Sequence, residues 1–198
     1  MSIIKPPIEE LIDTSKLSTD EIKALEEYRK SVDYLADEGN NLEFNNKDEY
    51  HAAFVMAAIF RSAKKSIKIF AGNFSGEISN SKIYLDQLKN SIHGDTKVEV
   101  VFENTPNENS ECLNMLKGLK KAGKNIHLSV LPPKYKKDVL DKQLNGAIGH
   151  FTIGDDRMFR YETDKNKFTA YCNFDDKNIV STLNKNFDIF QLNAINMQ

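Results

Sequence analysis

An α/β fold, with helices packed over a largely parallel sheet, is what this chain predicts, and three observations carry the expectation. Amphipathic helical patterns alternate with short β-type runs through the middle of the sequence. The links between them are short, and the last third holds two alternating segments around a Gly-Asp-Asp turn. Strand–helix units joined in this way give parallel strands with right-handed crossovers. With 198 residues, 40% of them hydrophobic, the chain can bury a full core, and one domain of ordinary size is expected.

Residues 1 to 17 carry Pro6, Pro7 and few periodic apolar positions, and they read as a mobile or loosely docked leader. Ser18 stands three residues before Glu21 as a capping box, and Ile22, Leu25, Tyr28, Val32 and Leu35 follow at helical spacing. A helix over about 19 to 37 is predicted. Gly39-Asn40-Asn41 ends it, and Asn45-Asn46-Lys47-Asp48 makes a second polar break that supplies the next N-cap. The helix from Asp48 has Ala52, Ala53, Val55, Met56, Ala57, Ile59, Phe60 and Ala63 and hardly any polar face, so it is expected to be buried close against a sheet. His51 near its start reads as a packing residue.

Ile67 and Ile69 alternate with Lys68 into a strand that Gly72-Asn73-Phe74-Ser75-Gly76 follows. A glycine-containing loop at the carboxyl end of a strand is where open α/β sheets place ligands, although this one matches no phosphate-loop spacing. Tyr84, Leu85, Leu88 and Ile92 give the next helix, and Lys97 to Asn104 a strand ending in polar residues. Cys112, Leu113, Leu116 and Leu119 set a helix whose basic end and Gly123 suit its dipole and C-cap. Ile126 to Leu131 is a third strand, stopped by Pro132-Pro133, in which His127 is an ordinary strand position. Lys134 to Lys142 reads as a solvated loop or short helix. Gly146 to Ile153 and Arg157 to Glu162 then form the hairpin, Phe168 to Phe174 adds a strand, and Asp175 or Asp176 caps a helix that buries Ile179, Val180, Leu183, Phe187 and Phe190.

Charge excludes some partners. With 27 basic and 29 acidic residues the net charge is −2, so no global field draws the chain to nucleic acid or anionic lipid, and contact with a polyanion has to come from a local patch. No apolar run approaches the roughly 20 residues that span a bilayer. Residues 1 to 7 lack a signal-peptide layout, so a cytoplasmic protein with no membrane association is expected. Cys112 and Cys172 are far apart with no partner motif and read as buried thiols. One histidine with scattered aspartates lacks metal-ligand spacing, and neither a metal nor a cofactor is expected.

The chemistry converges on Gly149 to Glu162. Strand alternation puts His150 and Thr152 on one face, and Arg160 and Glu162 share a face of the following strand with Met158. Pairing across the turn is expected to bring His150 near Arg160 or Glu162, with Asn173 of the next strand joining the cluster. A carboxylate beside a histidine fixes its tautomer and raises its basicity. The arginines supply bidentate contacts for phosphate. The same residues are equally read as a surface ion-pair ladder with a half-buried histidine.

The helix "HAAFVMAAIFRSAKKSIKIF", the alternating units after it, the segment "HFTIGDDRMFR", a strand ending in Asn173 and a closing helix resemble the phospholipase D-like superfamily over about residues 47 to 192. That resemblance implies a mixed sheet flanked by helices, here with a helical N-terminal segment at 1–46 ahead of the domain at 47–198. Members carry a His-x-Lys motif, a nearby Asp and a later Asn, and attack phosphorus through the histidine. The resemblance therefore implies His150 as nucleophile, Asp155 or Asp156 as the aspartate and Asn173 as a phosphate-binding residue. A single motif per chain implies a homodimer.

Thr152 occupies the lysine position, and Arg157 or Arg160 is the candidate substitute for the missing charge. The site expected is thus His150, Glu162 and Asn173 for chemistry, with Thr152, Arg157 and Arg160 for phosphate. Two readings follow: a degenerate, non-catalytic module that binds phosphate, nucleic acid or a partner, and alternatively an active phosphodiesterase or nuclease using His150 in a homodimeric site.

Overall fold

The computed structural model describes residues 6–137, 149–164 and 166–197. The end of the lysine-rich stretch and residues 146 to 148 of the predicted hairpin lie outside them. The strands are β1 (Phe44–Asn46), β2 (Ser66–Ala71), β3 (Lys97–Phe102), β4 (Ile126–Val130), β5 (Phe151–Gly154), β6 (Met158–Asp164), β7 (Thr169–Asn173) and β8 (Ile195–Asn196). The helices are α1 (Thr19–Asp37), α2 (Glu49–Ser62), α3 (Glu77–Asn80), α4 (Lys82–Ser91), α5 (Glu111–Lys121), α6 (Pro133–Lys137) and α7 (Lys177–Asn193).

One sheet holds all eight strands in the order β1-β7-β6-β5-β2-β3-β4-β8. Only β2, β3 and β4 run parallel; β5 enters antiparallel to β2, and every further pairing is antiparallel. The sheet is therefore mixed, as the family resemblance implied, and not largely parallel, as the strand–helix alternation suggested. The parallel part stops where the hairpin is laid against β2.

The sheet separates two apolar layers. On one face Ile67, Ile69, Val98, Val100, Leu128 and Met158 pack with α2, α4 and α5. On the other, Phe70, Val101, Phe151, Ile153 and Phe159 meet Val180, Leu183, Phe187 and Phe190 of α7, and the Phe70 and Phe190 rings stack at 4.2 Å. The all-apolar pattern of α2 has its cause here, since Ala52 to Phe60 are buried without a break.

The chain before residue 47 is built into this core. Ser18 and Glu21 form the capping box of α1, and Val32 and Ala36 pack in the main core. Ile8, Leu11 and Ile12, in the stretch read as a loosely docked leader, are buried with Leu25, Phe54 and Ile83. The break at 45 to 48 overlaps β1, which starts at Phe44 and pairs with β7 in the register Phe44 to Cys172. Cys112 and Cys172 are free and buried, and burial pushes the Cys172 thiol up to about 12 against the pull of Arg160.

The hairpin turn is tied down by Asp155, which sits at φ 53°. Its carboxylate accepts from the backbone N–H groups of Lys64 (3.0 Å), Lys65 (2.8 Å) and Ser66 (3.1 Å) at the entry to β2. Those donors lie just before β2 and at its first residue, where the carboxylate satisfies backbone N–H groups at the start of the strand. Asp155→Ala is expected to lose about 2 kcal/mol of folding stability in a denaturant titration, with Asp155→Asn in between.

Candidate functional site

The carboxyl ends of β2 and β3 and the amino end of β5 meet in one row. In register, Ala71 lies opposite Phe102, and Phe70 opposite Phe151. Continuing these registers by one residue sets Glu103 beside Gly72 at the end of β2, and His150, just ahead of β5, opposite Ala71. Gly72 has no side chain, and a methyl group there would lie 3.2 Å from His150 Cε1. The imidazole occupies that space.

Both ring nitrogens of His150 face carboxylates. Nδ1 is 3.0 Å from Glu162 Oε2, and Nε2 is 2.8 Å from Glu103 Oε2. The backbone supports the first contact, because Glu162 N–H donates to the His150 carbonyl at 2.8 Å. Both glutamates are buried, at 8% exposure for Glu103 and 5% for Glu162, while the histidine side chain is 22% exposed. Phe70 meets the imidazole edge-on at 5.8 Å between centroids.

Arg160 stands behind this group. Its Nε donates to Asn46 Oδ1 at 2.9 Å, and one terminal nitrogen donates to the Phe168 carbonyl at 2.9 Å and to Glu162 Oε1 at 3.3 Å. Asn46 is itself buried and donates to the same Phe168 carbonyl. Nε and one terminal nitrogen of the guanidinium are thus engaged within the protein. Thr152 pairs with Arg160 across the hairpin and is buried at the same cleft.

A cleft of about 260 Å³ opens over these residues. Its walls include Phe70, Phe74, Tyr84 and Phe168, and its polar lining includes Asn73, Ser75, His150, Arg160 and Glu162. Phe74 and Phe168 both hold positive φ, at 58° and 55°, a conformation that costs a bulky side chain of order 1–3 kcal/mol and that clusters at binding sites. A larger cavity, about 560 Å³, lies between residues 9 to 16, the start of α2 and the α3–α4 turn. It holds none of the predicted site residues. Burial, then the nearby Glu77 and Asp48, raise the Glu49 carboxyl that lines it.

Two predicted site residues lie elsewhere. Asn173 pairs with Phe159, one position out of step with the Cys172–Arg160 pair, and its side-chain Nδ2 donates to Asn41 while its side-chain Oδ1 accepts from Asp175 N–H. It does not join the His150 cluster, because strand alternation turns it away from Arg160 and Glu162. Arg157 is at the closed end of the hairpin and donates to the Phe174 carbonyl at 2.6 Å. Of the two aspartates, Asp155 serves the turn and Asp156 is exposed. Sequence reasoning missed Glu103 and Asn46. The polar stop after Val100-Val101-Phe102 was the one local signal for Glu103; Asn46 gave none, since it sits in a polar break.

No protein-family model matches the sequence, and no curated protein matches it. Solved structures do match. Nuc from Salmonella typhimurium, a phospholipase D family member, superposes with a TM-score of 0.56 at 12% identity, covering 79% of this chain and 99% of that one. NucT from Helicobacter pylori gives a TM-score of 0.54 at 16% identity, covering 79% and 100%. This chain has a phospholipase D-like fold. TrmBL2, an archaeal chromatin protein whose structure shows a novel mode of DNA binding, superposes with a TM-score of 0.52 at 12% identity, over 93% of this chain and 68% of that one. Among the described residues, no helix is long and apolar enough to cross a membrane.

Proposed function

We propose that this phospholipase D-like domain binds its ligand without turning over phosphodiesters. The observation that carries the reading is the double engagement of His150. Attack on phosphorus needs an unprotonated ring nitrogen aimed at the substrate. With Glu103 and Glu162 both ionised, the 2.8 and 3.0 Å contacts require an N–H on each nitrogen, which is the imidazolium and leaves no lone pair. Two further features agree with it. Thr152 stands where the family resemblance expects a lysine, and Nε and one terminal nitrogen of Arg160 are taken by Asn46, Phe168 and Glu162.

Nucleic acid is the ligand class favoured, in a homodimer. Two structural neighbours are a chromatin protein described as binding DNA and a phospholipase D family member named Nuc. A net charge of −2 confines such binding to a local patch. The test is incubation with bis(4-nitrophenyl) phosphate and with single- and double-stranded DNA, beside His150→Ala. Neither protein is expected to release product. Turnover by the parent that the variant lacks establishes the alternative, an active phosphodiesterase with His150 as nucleophile. Fluorescence anisotropy is expected to show DNA binding that weakens as salt rises, and its absence at low salt removes nucleic acid as the ligand. A strictly monomeric protein in light scattering removes the dimer.

A further inference from the structure

We infer that the larger cavity, between residues 9 to 16, the start of α2 and the α3–α4 turn, is a binding site for a small aliphatic polyamine. None of His150, Arg160 and Glu162 lines it, so the inference stands apart from the reading of the His150 cleft.

The cavity is built into the fold. At about 560 Å³ it is of the size that takes a small ligand. Leu11, Ile12 and Ala53 line it and are buried in one apolar cluster with Phe54 and Ile83. Ile83 N–H donates to the Leu11 carbonyl at 3.1 Å, which ties the N-terminal wall to α4. Three stretches distant in sequence therefore fix its walls. Tyr50 and Ile78, both half-buried, add further apolar surface.

Charge selects the ligand. The lining has five carboxylates, Glu9, Glu10, Asp13, Glu49 and Glu77, against the ammonium groups of Lys16 and Lys82, so three negative charges are in excess. Lys82 Nζ is 2.8 Å from Asp86, which does not line the cavity. Burial, then Glu77 and Asp48, raise the Glu49 carboxyl against the pull of Lys16, as expected where like charges outweigh the counter-charge. A ligand cation relieves that repulsion. The neutral polar groups are engaged within the protein. Asn80 accepts from Ser110 Oγ and Cys112 N–H and donates to the Phe74 and Gly76 carbonyls, and Ser81 Oγ donates to the Ile78 carbonyl. The carboxylates are left as the recognition groups.

Among the described residues, no three His, Cys, Asp or Glu side chains are gathered so as to hold a metal ion. The negative charge is instead spread along apolar walls, which fits a cation whose charges are themselves spaced by methylene groups. Its ammonium groups meet the carboxylates, and its methylenes cover Leu11, Ile12, Tyr50 and Ile78.

Isothermal titration calorimetry of the full chain with spermidine at low salt tests this. Saturable binding is expected, weakening as salt rises. Putrescine, with one ammonium group fewer, is expected to bind more weakly, and Glu49→Gln/Glu77→Gln to lose about tenfold in spermidine affinity. No measurable spermidine binding overturns the inference, as does parent-like affinity in the double variant. Magnesium binding as tightly as spermidine at equal ionic strength also overturns it, because an acidic surface that merely gathers counterions gives that result. Should the double variant not fold, methyl NMR of the parent decides: spermidine moving the Leu11, Ile12 and Ile78 resonances supports the site, and shifts confined elsewhere overturn it. Phosphodiester turnover and DNA binding are read in separate assays, so failure of the non-catalytic reading leaves these outcomes unchanged.

Discussion

Arg160→Met is expected to lower folding stability by about 3–5 kcal/mol, seen as a fall in the denaturation midpoint and a drop in Tm of about 10 °C. Arg160 is 5% exposed, and methionine fills much of its stem volume, so the loss is chiefly that of the guanidinium. Its removal takes a donor from three acceptors at once: Asn46 Oδ1, Glu162 Oε1 and the Phe168 carbonyl, which keeps its bond from Asn46. Each uncompensated acceptor costs about 1–3 kcal/mol, and a buried carboxylate deprived of its cation costs more. Asn46 lies on β1 and Arg160 on β6, with β7 between them, so the loss also loosens the edge of the sheet. Arg160→Lys is expected to recover only part of the stability, because an ammonium cannot reach three acceptors in the fork geometry. A fall below about 1 kcal/mol in Arg160→Met would show that the buried network is not closed in solution.

The same network shows where sequence reasoning stops. The His150–Glu162 contact spans one hairpin, and alternation around a recognisable turn was enough to place the two side chains together. Glu103 is 47 positions from His150, and the contact exists only because β5 is laid beside β2 and β3 beyond it. Strand order of that kind leaves no local periodicity, and for the same reason the run of strand–helix units suggested too much parallel sheet. Asn173 failed on parity. One residue of register decides the face of a strand, and the register of β7 is set in the irregular Glu162–Asp164 stretch and the turn after it, which alternation alone does not count. β1 has three residues, too few to show a period, and its existence depends on β7. The helices α1, α2 and α7 were legible because capping and periodicity are local properties: Ser18 with Glu21, Asp48 with His51, and Asp176 with Asn178 and Ile179 are all contacts within three residues.

Gly149→Ala is expected to destabilise the protein by about 3 kcal/mol and to disturb His150 as it does so. A β-carbon at this position would lie 1.7 Å from the Glu162 carbonyl oxygen and 2.8 Å from its carbon, both of them backbone atoms. No rotamer relieves a backbone clash, so β6 and the chain entering β5 must separate. That separation acts directly on the Glu162 N–H to His150 carbonyl bond, and through it on the 3.0 Å contact between Nδ1 and Glu162. The expected signature is thus double: a lower denaturation midpoint, and His150 ring resonances moved from those of the parent. Gly118→Ala supplies the control of opposite sign. Gly118 is exposed on α5, a β-carbon there meets nothing within 4 Å, and alanine in a helix interior is favoured by about 0.5–1 kcal/mol. Equal midpoints for Gly149→Ala and the parent would mean that the Glu162 carbonyl yields freely, and the close approach of the two strands would then not be what holds His150 against Glu162.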